Sequence, residues 1–385
     1  MEIRPGLIDS AAVLRARGTT DTIHREFRAG RLVRIRRGSY VRTADWLSAR
    51  PSERFAWTTA AVARSVKGAV LCGETAALAN GLPTLRTPGY VELATTLPGR
   101  SGVRRSPLMV LGEDAAARQA REKRSYPLRY CLKPAGETVV RGEFRCTSPV
   151  QTTLDLMVGG KLGEALVVAD GLARMLHHQG TLPADANLLA LPQIVEGISS
   201  HPHASAQRRA ERVAALASPL AESVGESYSR AAFEFLGFEQ PVLQHVFRDA
   251  DGFIGRADCW WPRNRVVGEF DGKAKYVEAA MRGEATAEEA VYREKLREDR
   301  IRALGLGFVR WGWVDVEEPE RLRRKLLAAG LRPRIRGQFA DQDLVGQVSR
   351  TSPGVQNPGP SEVNNHNGEN LRVLTHCSKT LWRAS

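Results

Sequence analysis

Cysteine is scarce in this sequence and poorly placed for either of its structural uses. Five residues, Cys72, Cys131, Cys146, Cys259 and Cys377, are scattered over 385 positions. Their odd number and wide spacing form neither a zinc-ligand pattern nor a disulfide framework. Long apolar runs are missing too. No stretch approaches the roughly 18 residues needed to cross a bilayer, and the start, Met1 to Pro5, lacks a signal-peptide pattern. These absences lead us to expect a cytoplasmic protein with no membrane partner. Acidic residues are in deficit: 43 Asp and Glu face 56 Lys and Arg, for a formal charge of +13. Most of the cations are Arg, whose fork matches phosphate oxygens. Nucleic acid is therefore the first partner to expect, although net charge speaks to association and not to fold. Aromatic residues make up only 6%, yet apolar residues reach 42%, enough for two or three cores in a chain too long for one.

Chemistry concentrates between Gly255 and Lys273, where two strand-like runs flank Arg263-Asn264. With that pair as a two-residue loop, Pro262 lies opposite Arg265, and the register carried down the hairpin sets Asp258 opposite Glu269. The period of two puts Glu269, Asp271 and Lys273 on the face of Asp258 and turns Phe270 into the core. Opposed Cβ atoms lie about 5 Å apart, and facing carboxylates repel. Such a placement calls for a cation between them. Mg²⁺ or Mn²⁺ suits an all-oxygen site, with a nearby lysine to steady developing negative charge. Alternating acids and lysines more often mark a solvated strand face. The matching acid across the hairpin and the neighbouring Trp260, Val266, Val267 and Phe270 weigh against that here. Trp260 and Trp261 themselves read as sheet-packing residues.

The first 45 residues give a second signal. A helix over 10–17 stops at Gly18, and Asp21 caps a second over 22–29 that ends at Gly30. Ile23 and Phe27 are four apart and face inward, leaving His24, Arg25 and Arg28 outside. A β-hairpin over 31–41 follows, with Arg37-Gly38 at its tip and Val33 and Ile35 on one face. This is a winged helix-turn-helix plan. The second helix suits a major groove, while Arg34, Arg36 and Arg37 of the wing suit phosphates or a narrow minor groove.

The middle of the chain carries no catalytic cluster. Helices are expected over 55–66, 74–80 and 162–175, and another starts at Ser148-Pro149. Strands are expected over 69–71, 90–95 and 139–146. Asp155 and Asp170 read as helix-surface or capping groups, and His177-His178 as a solvated pair. A helix over 201–216 and another over 291–304, burying Leu296, Ile301 and Leu304, complete the ordered part. From about Gly337 the chain turns polar and cannot build a core.

The hairpin resembles that of the PD-(D/E)xK, restriction-endonuclease-like superfamily. Within it, it is most similar to the small very-short-patch-repair-like domain, which has an Asp on one strand and Glu-x-Asp-Gly on the next, here Asp258 and Glu269 to Gly272. The likeness runs on through Lys275-Tyr276, residues 292–305 and Phe308 to Trp311, and upstream through Glu222 to Ser229. It implies that Asp258 and Glu269 are metal ligands joined by a helix-borne Glu226, with Lys273 or Lys275 supplying positive charge. Two placements of the motif stay open: Glu269-x-Asp271, with Asp in the lysine position, or Asp271-x-Lys273, with the lysine kept. Pairing with Asp258 favours Glu269, leaving Asp271 as a ligand or supporting base.

The segment from Gly30 to Tyr40 resembles the winged-helix domain of AbiE-type antitoxins of type IV toxin-antitoxin systems. That likeness implies double-stranded DNA and a toxin as partners.

The expected fold is α/β and multidomain. It comprises a winged helix-turn-helix over 1–48, a mixed α/β middle domain over 50–200, a connecting helix over 201–217, a restriction-endonuclease-like α/β domain over 218–332, and a disordered tail over 337–385. Two functions are expected: a metal-dependent endonuclease hydrolysing DNA phosphodiesters, or an antitoxin-like transcriptional regulator that keeps the nuclease fold, inactive, for binding.

Overall fold

A computed structural model describes residues 6–105, 108–272 and 287–334. Lys273, Lys275 and the tail expected over 337–385 lie outside these residues. The chain is mixed α/β with several sheets and divides into two compact units, Met1–Ala231 and Ala232–Ser385.

The first unit opens with β1 (Ile8–Asp9), α1 (Ser10–Arg17), α2 (Asp21–Arg28), β2 (Leu32–Arg36) and β3 (Ser39–Arg42). Asp9 starts α1 by accepting the Ala11 N–H at 2.9 Å, and Gly18 ends it in the left-handed region at φ 71°. α2 buries Ile23 and Phe27, as its spacing predicts. Then follow α3 (Thr43–Ser48), α4 (Pro51–Ser65), α5 (Gly73–Ala79), β4 (Val91–Thr95), β5 (Gly102–Arg104), β6 (Met109–Val110), α6 (Ala115–Glu122) and β7 (Leu128–Leu132). β6 joins the first sheet, in the order β1-β3-β2-β6. Val33, Ile35 and Val41 accordingly share one core with Trp46, Trp57, Val110, Ala117 and Ala120, and the boundary expected near residue 49 runs through that core.

A second sheet has the order β4-β7-β5. The strand expected over 69–71 shrinks to single bridges from Leu71 to Leu93 and Cys146. The one expected over 139–146 is a hairpin of β8 (Thr138–Arg141) and β9 (Phe144–Thr147), turned by Gly142 at φ 58°. Ser148 caps α7 (Pro149–Gly159) through the Gln151 N–H at 3.2 Å. α8 (Leu162–His178), α9 (Pro192–Ser199) and α10 (Ala204–Leu216) pack with it around Met157, Leu166, Leu172, Ile194 and Val213. Asp170, expected at a surface or cap, is wholly buried in α8, because Val167, Val168 and Leu172 leave that stretch no polar face. α11 (Val224–Phe235) spans the division between the units.

The second unit holds β10 (Val242–Asp249), β11 (Gly252–Trp261), β12 (Val266–Phe270), α12 (Ala287–Ala303), β13 (Gly307–Trp311), α13 (Trp313–Glu317) and α14 (Pro319–Ala328). Its sheet order is β10-β11-β12-β13; β10 to β12 run antiparallel, and β13 lies parallel to β12, which demands a crossover. Phe247, Ile254, Val267 and Phe308 pack with Ile301 of α12. Trp261 and Trp311 meet Phe233 edge-on, with ring centres 5.3 and 5.4 Å away. Leu296, expected in the core, is 45% exposed; the inward face of α12 at this level is given to Arg297 instead. Among the described residues, no helix is long and apolar enough to cross a membrane.

Candidate functional site: an acid and arginine hairpin

The hairpin forms with the register that a loop at Arg263-Asn264 demands. Cys259 lies opposite Gly268, Trp260 opposite Val267 and Trp261 opposite Val266, and the Arg265 N–H closes the turn on the Pro262 carbonyl at 3.2 Å. Arg265 itself sits at φ 53° to make that turn. Carried one step beyond these pairs, the same register sets Asp258 opposite Glu269. Asp258 Oδ2 accepts the Phe270 N–H at 3.0 Å, which ties the acid to the backbone of the opposite strand. Phe270 points into the core, as expected, and Asp271 is exposed beyond the strand end, with its N–H on the Trp311 carbonyl at 2.7 Å.

Glu269 is 8% exposed and is met by two guanidinium groups. Arg297 Nη2 from α12 donates to Oε1, and Arg310 Nη2 from β13 lies 3.1 Å from Oε2. Arg310 reaches Glu269 because the two residues are register partners across the parallel strands. Both arginines also hold acids of α12. Arg297 pairs with Glu294 at 2.5 Å, and Arg310 with Glu294 and, through Nε, with Glu298 at 3.1 Å. Arg302 joins Glu298 at 2.7 Å. Gly255 leaves room for this layer, since a Cβ there would stand 2.8 Å from Arg297 Cδ.

Burial raises the Glu269 carboxyl above its ordinary value, an effect that Arg297 and Arg310 oppose without cancelling. Burial also pushes Glu294 up, but hydrogen bonds from Arg297 and Arg310 outweigh it and leave that carboxyl below its ordinary value. Burial disfavours the charged form of each arginine, and the facing carboxylates more than offset it, holding both guanidinium groups charged.

A divalent metal would need open oxygens on these acids. Both oxygens of Glu269 are already met by cations, so the acids as arranged do not fit Mg²⁺ or Mn²⁺. Among the described residues, no three or more of His, Cys, Asp and Glu gather where they could hold a metal. Glu226 lies in the first unit, where its carboxylate accepts the Glu222 N–H at 3.0 Å and the Ser223 hydroxyl at 2.8 Å, capping α11. Arg297 and Arg310 are the members of this cluster that the acid pattern alone does not single out.

On the N-terminal surface, His24, Arg25 and Arg28 of α2 are exposed, and so is Arg37 at the hairpin tip. Arg34 and Arg36 are half-buried. The guanidinium of Arg34 stacks over the Phe27 ring at 5.2 Å and touches Met109 Sδ. Arg36 Nε donates to the Ser65 hydroxyl at 3.0 Å, and burial lowers its pKa. Only part of the expected basic wing is thus presented to solvent. Compared with known proteins, the chain matches no family model, no curated protein and no solved structure.

Proposed function

We propose that the chain is a DNA-binding regulator of the antitoxin-like kind, with a winged helix-turn-helix at its start and a PD-(D/E)xK-like hairpin kept in the second unit as a scaffold. The observation that carries the reading is the division of labour in α2: Ile23 and Phe27 hold the helix to the core, while His24, Arg25 and Arg28 stand in solvent in the same unit as the Arg37 tip. An exposed helix face bearing cations, held from behind by its apolar stripe, is what groove insertion requires. Phosphates of the duplex are the natural partner of a chain with a formal charge of +13. The test is duplex binding at several salt concentrations by wild type and by Arg25→Ala/Arg28→Ala/Arg37→Ala. Weaker binding and a flatter salt dependence in the variant are expected. Equal affinity and slope would remove these residues from the interface and sink the reading.

A second reading, a metal-dependent endonuclease, is favoured by one observation, a hairpin register paired as far as Cys259 and Gly268, whose next step sets Asp258 opposite Glu269. Its test is plasmid nicking with Mg²⁺ or Mn²⁺ by wild type and Asp258→Ala. Nicking that disappears in the variant would establish hydrolysis and displace the scaffold reading.

A further inference from the structure

Facing carboxylates need a cation, and the elements packed on this hairpin supply it. Glu269, Glu294 and Glu298 are matched by Arg297, Arg302 and Arg310 in one continuous network drawn from α12, β12 and β13. The two guanidinium groups on Glu269 come from different elements and take one oxygen each. Both are held from behind, Arg297 by Glu294 and by the Arg256 carbonyl at 3.3 Å, Arg310 by Glu294 and Glu298.

We infer that Arg297 and Arg310 are the resident counter-cations of Glu269 in this hairpin, each closing one carboxylate oxygen to a divalent cation, so that Glu269 accepts such an ion only as those guanidinium groups are withdrawn. A buried carboxylate that loses its partners keeps the cost of desolvation and must either take up a proton or recover that cost from another charge. With the arginines gone, Glu269 faces Asp258 across the hairpin with no positive charge from α12 or β13 on either oxygen. An oxygen-seeking divalent ion then becomes the cheapest replacement. With them present, the ion must displace two charge-assisted hydrogen bonds, each itself backed by further acids. The inference concerns the second unit alone and stands whether or not the chain binds DNA.

The experiment is Mn²⁺ uptake by the full chain, read from the paramagnetic signal of free Mn²⁺, in the wild type, Arg297→Gln/Arg310→Gln, and each of these with Glu269→Gln added. Wild type is expected to take up no more Mn²⁺ than its Glu269→Gln counterpart. The double variant should bind Mn²⁺ about tenfold or more tightly than wild type, the size of effect that partners of a ligating carboxylate commonly exert, and should lose that gain when Glu269→Gln is added. Uptake by wild type that Glu269→Gln abolishes overturns the inference, as does a folded double variant that binds no better than wild type. Thermal unfolding reports whether each variant is folded. If the double variant is not, Arg310→Gln alone replaces it: it retains the Arg297 contact, a smaller gain is expected, and no gain is equally fatal.

Discussion

Arg230 Nη1 reaches both oxygens of Asp170, at 2.9 and 2.8 Å, joining α11 to α8 with neither side chain more than 6% exposed. The Ser218 N–H adds a third contact to Oδ1 at 2.8 Å, and Arg230 Nη2 donates to the Leu216 carbonyl. Breaking a buried pair leaves one charge stranded, so Asp170→Ala is expected to cost about 3–5 kcal/mol. Replacing both residues, as Asp170→Leu/Arg230→Met, should cost less than Asp170→Ala alone. Urea unfolding of the set checks this; a double variant less stable than Asp170→Ala would contradict it.

Glu74 gives the first unit a pH dependence. Burial and the nearby Glu92 and Glu164 raise its carboxyl from 4.5 to about 7. The folded state therefore holds the proton longer than the unfolded chain does. Stability contributed here is present below about 4.5, falls as pH rises between the two values and stays low above about 7. Glu74→Gln should flatten the stability profile across that window and gain on the order of 1–3 kcal/mol at pH 8. Melting temperatures of both proteins between pH 4 and 8 make the comparison, and parallel profiles would refute it.

Gly268 is the tightest point of the hairpin. A Cβ there would stand 2.7 Å from both the Trp261 and the Trp311 rings. Gly268→Ala should thus destabilise the second unit by about 1–3 kcal/mol through overpacking. Tryptophan fluorescence during denaturation reads this directly, because Trp261 and Trp311 are the rings displaced. An unchanged midpoint would show that the sheet can yield.

The two kinds of wing arginine should separate in one pair of assays. Arg34→Ala loses the stack on Phe27 and is expected to lower stability by about 1 kcal/mol. Arg37→Ala should leave stability within about 0.5 kcal/mol and lower the slope of log affinity against log salt by about 0.9, one phosphate contact. The reverse pattern would place Arg34 at the DNA and Arg37 in a structural role.

Local signals carried the hairpin and the opening helices. Arg263-Asn264 and a period of two were enough for the register, and Gly18, Ile23 and Phe27 were enough for α1 and α2. What escaped was non-local. Nothing near Glu269 in sequence announces Arg310, which arrives only when β13 docks parallel to β12. Arg297 was legible as a helix residue, but not as the cation owed to the opposed acids. The inclusion of β6 in the first sheet depends on two residues, Met109 and Val110, too few to show a period. Asp170 did leave a trace: a lone acid among Val167, Val168, Ala169 and Leu172 has no polar face to occupy, so a buried partner was required.

The parallel pairing of Glu269 with Arg310 should also order folding in time. β11 and β12 can meet through a short turn, but the cation that completes the Glu269 position is delivered only after the long crossover has closed. Until then the hairpin carries an acid it cannot bury comfortably, so a half-assembled sheet is penalised and β13 acts as the closing step. The second unit should accordingly unfold as a single cooperative block, with Arg310→Gln accelerating unfolding far more than it slows folding.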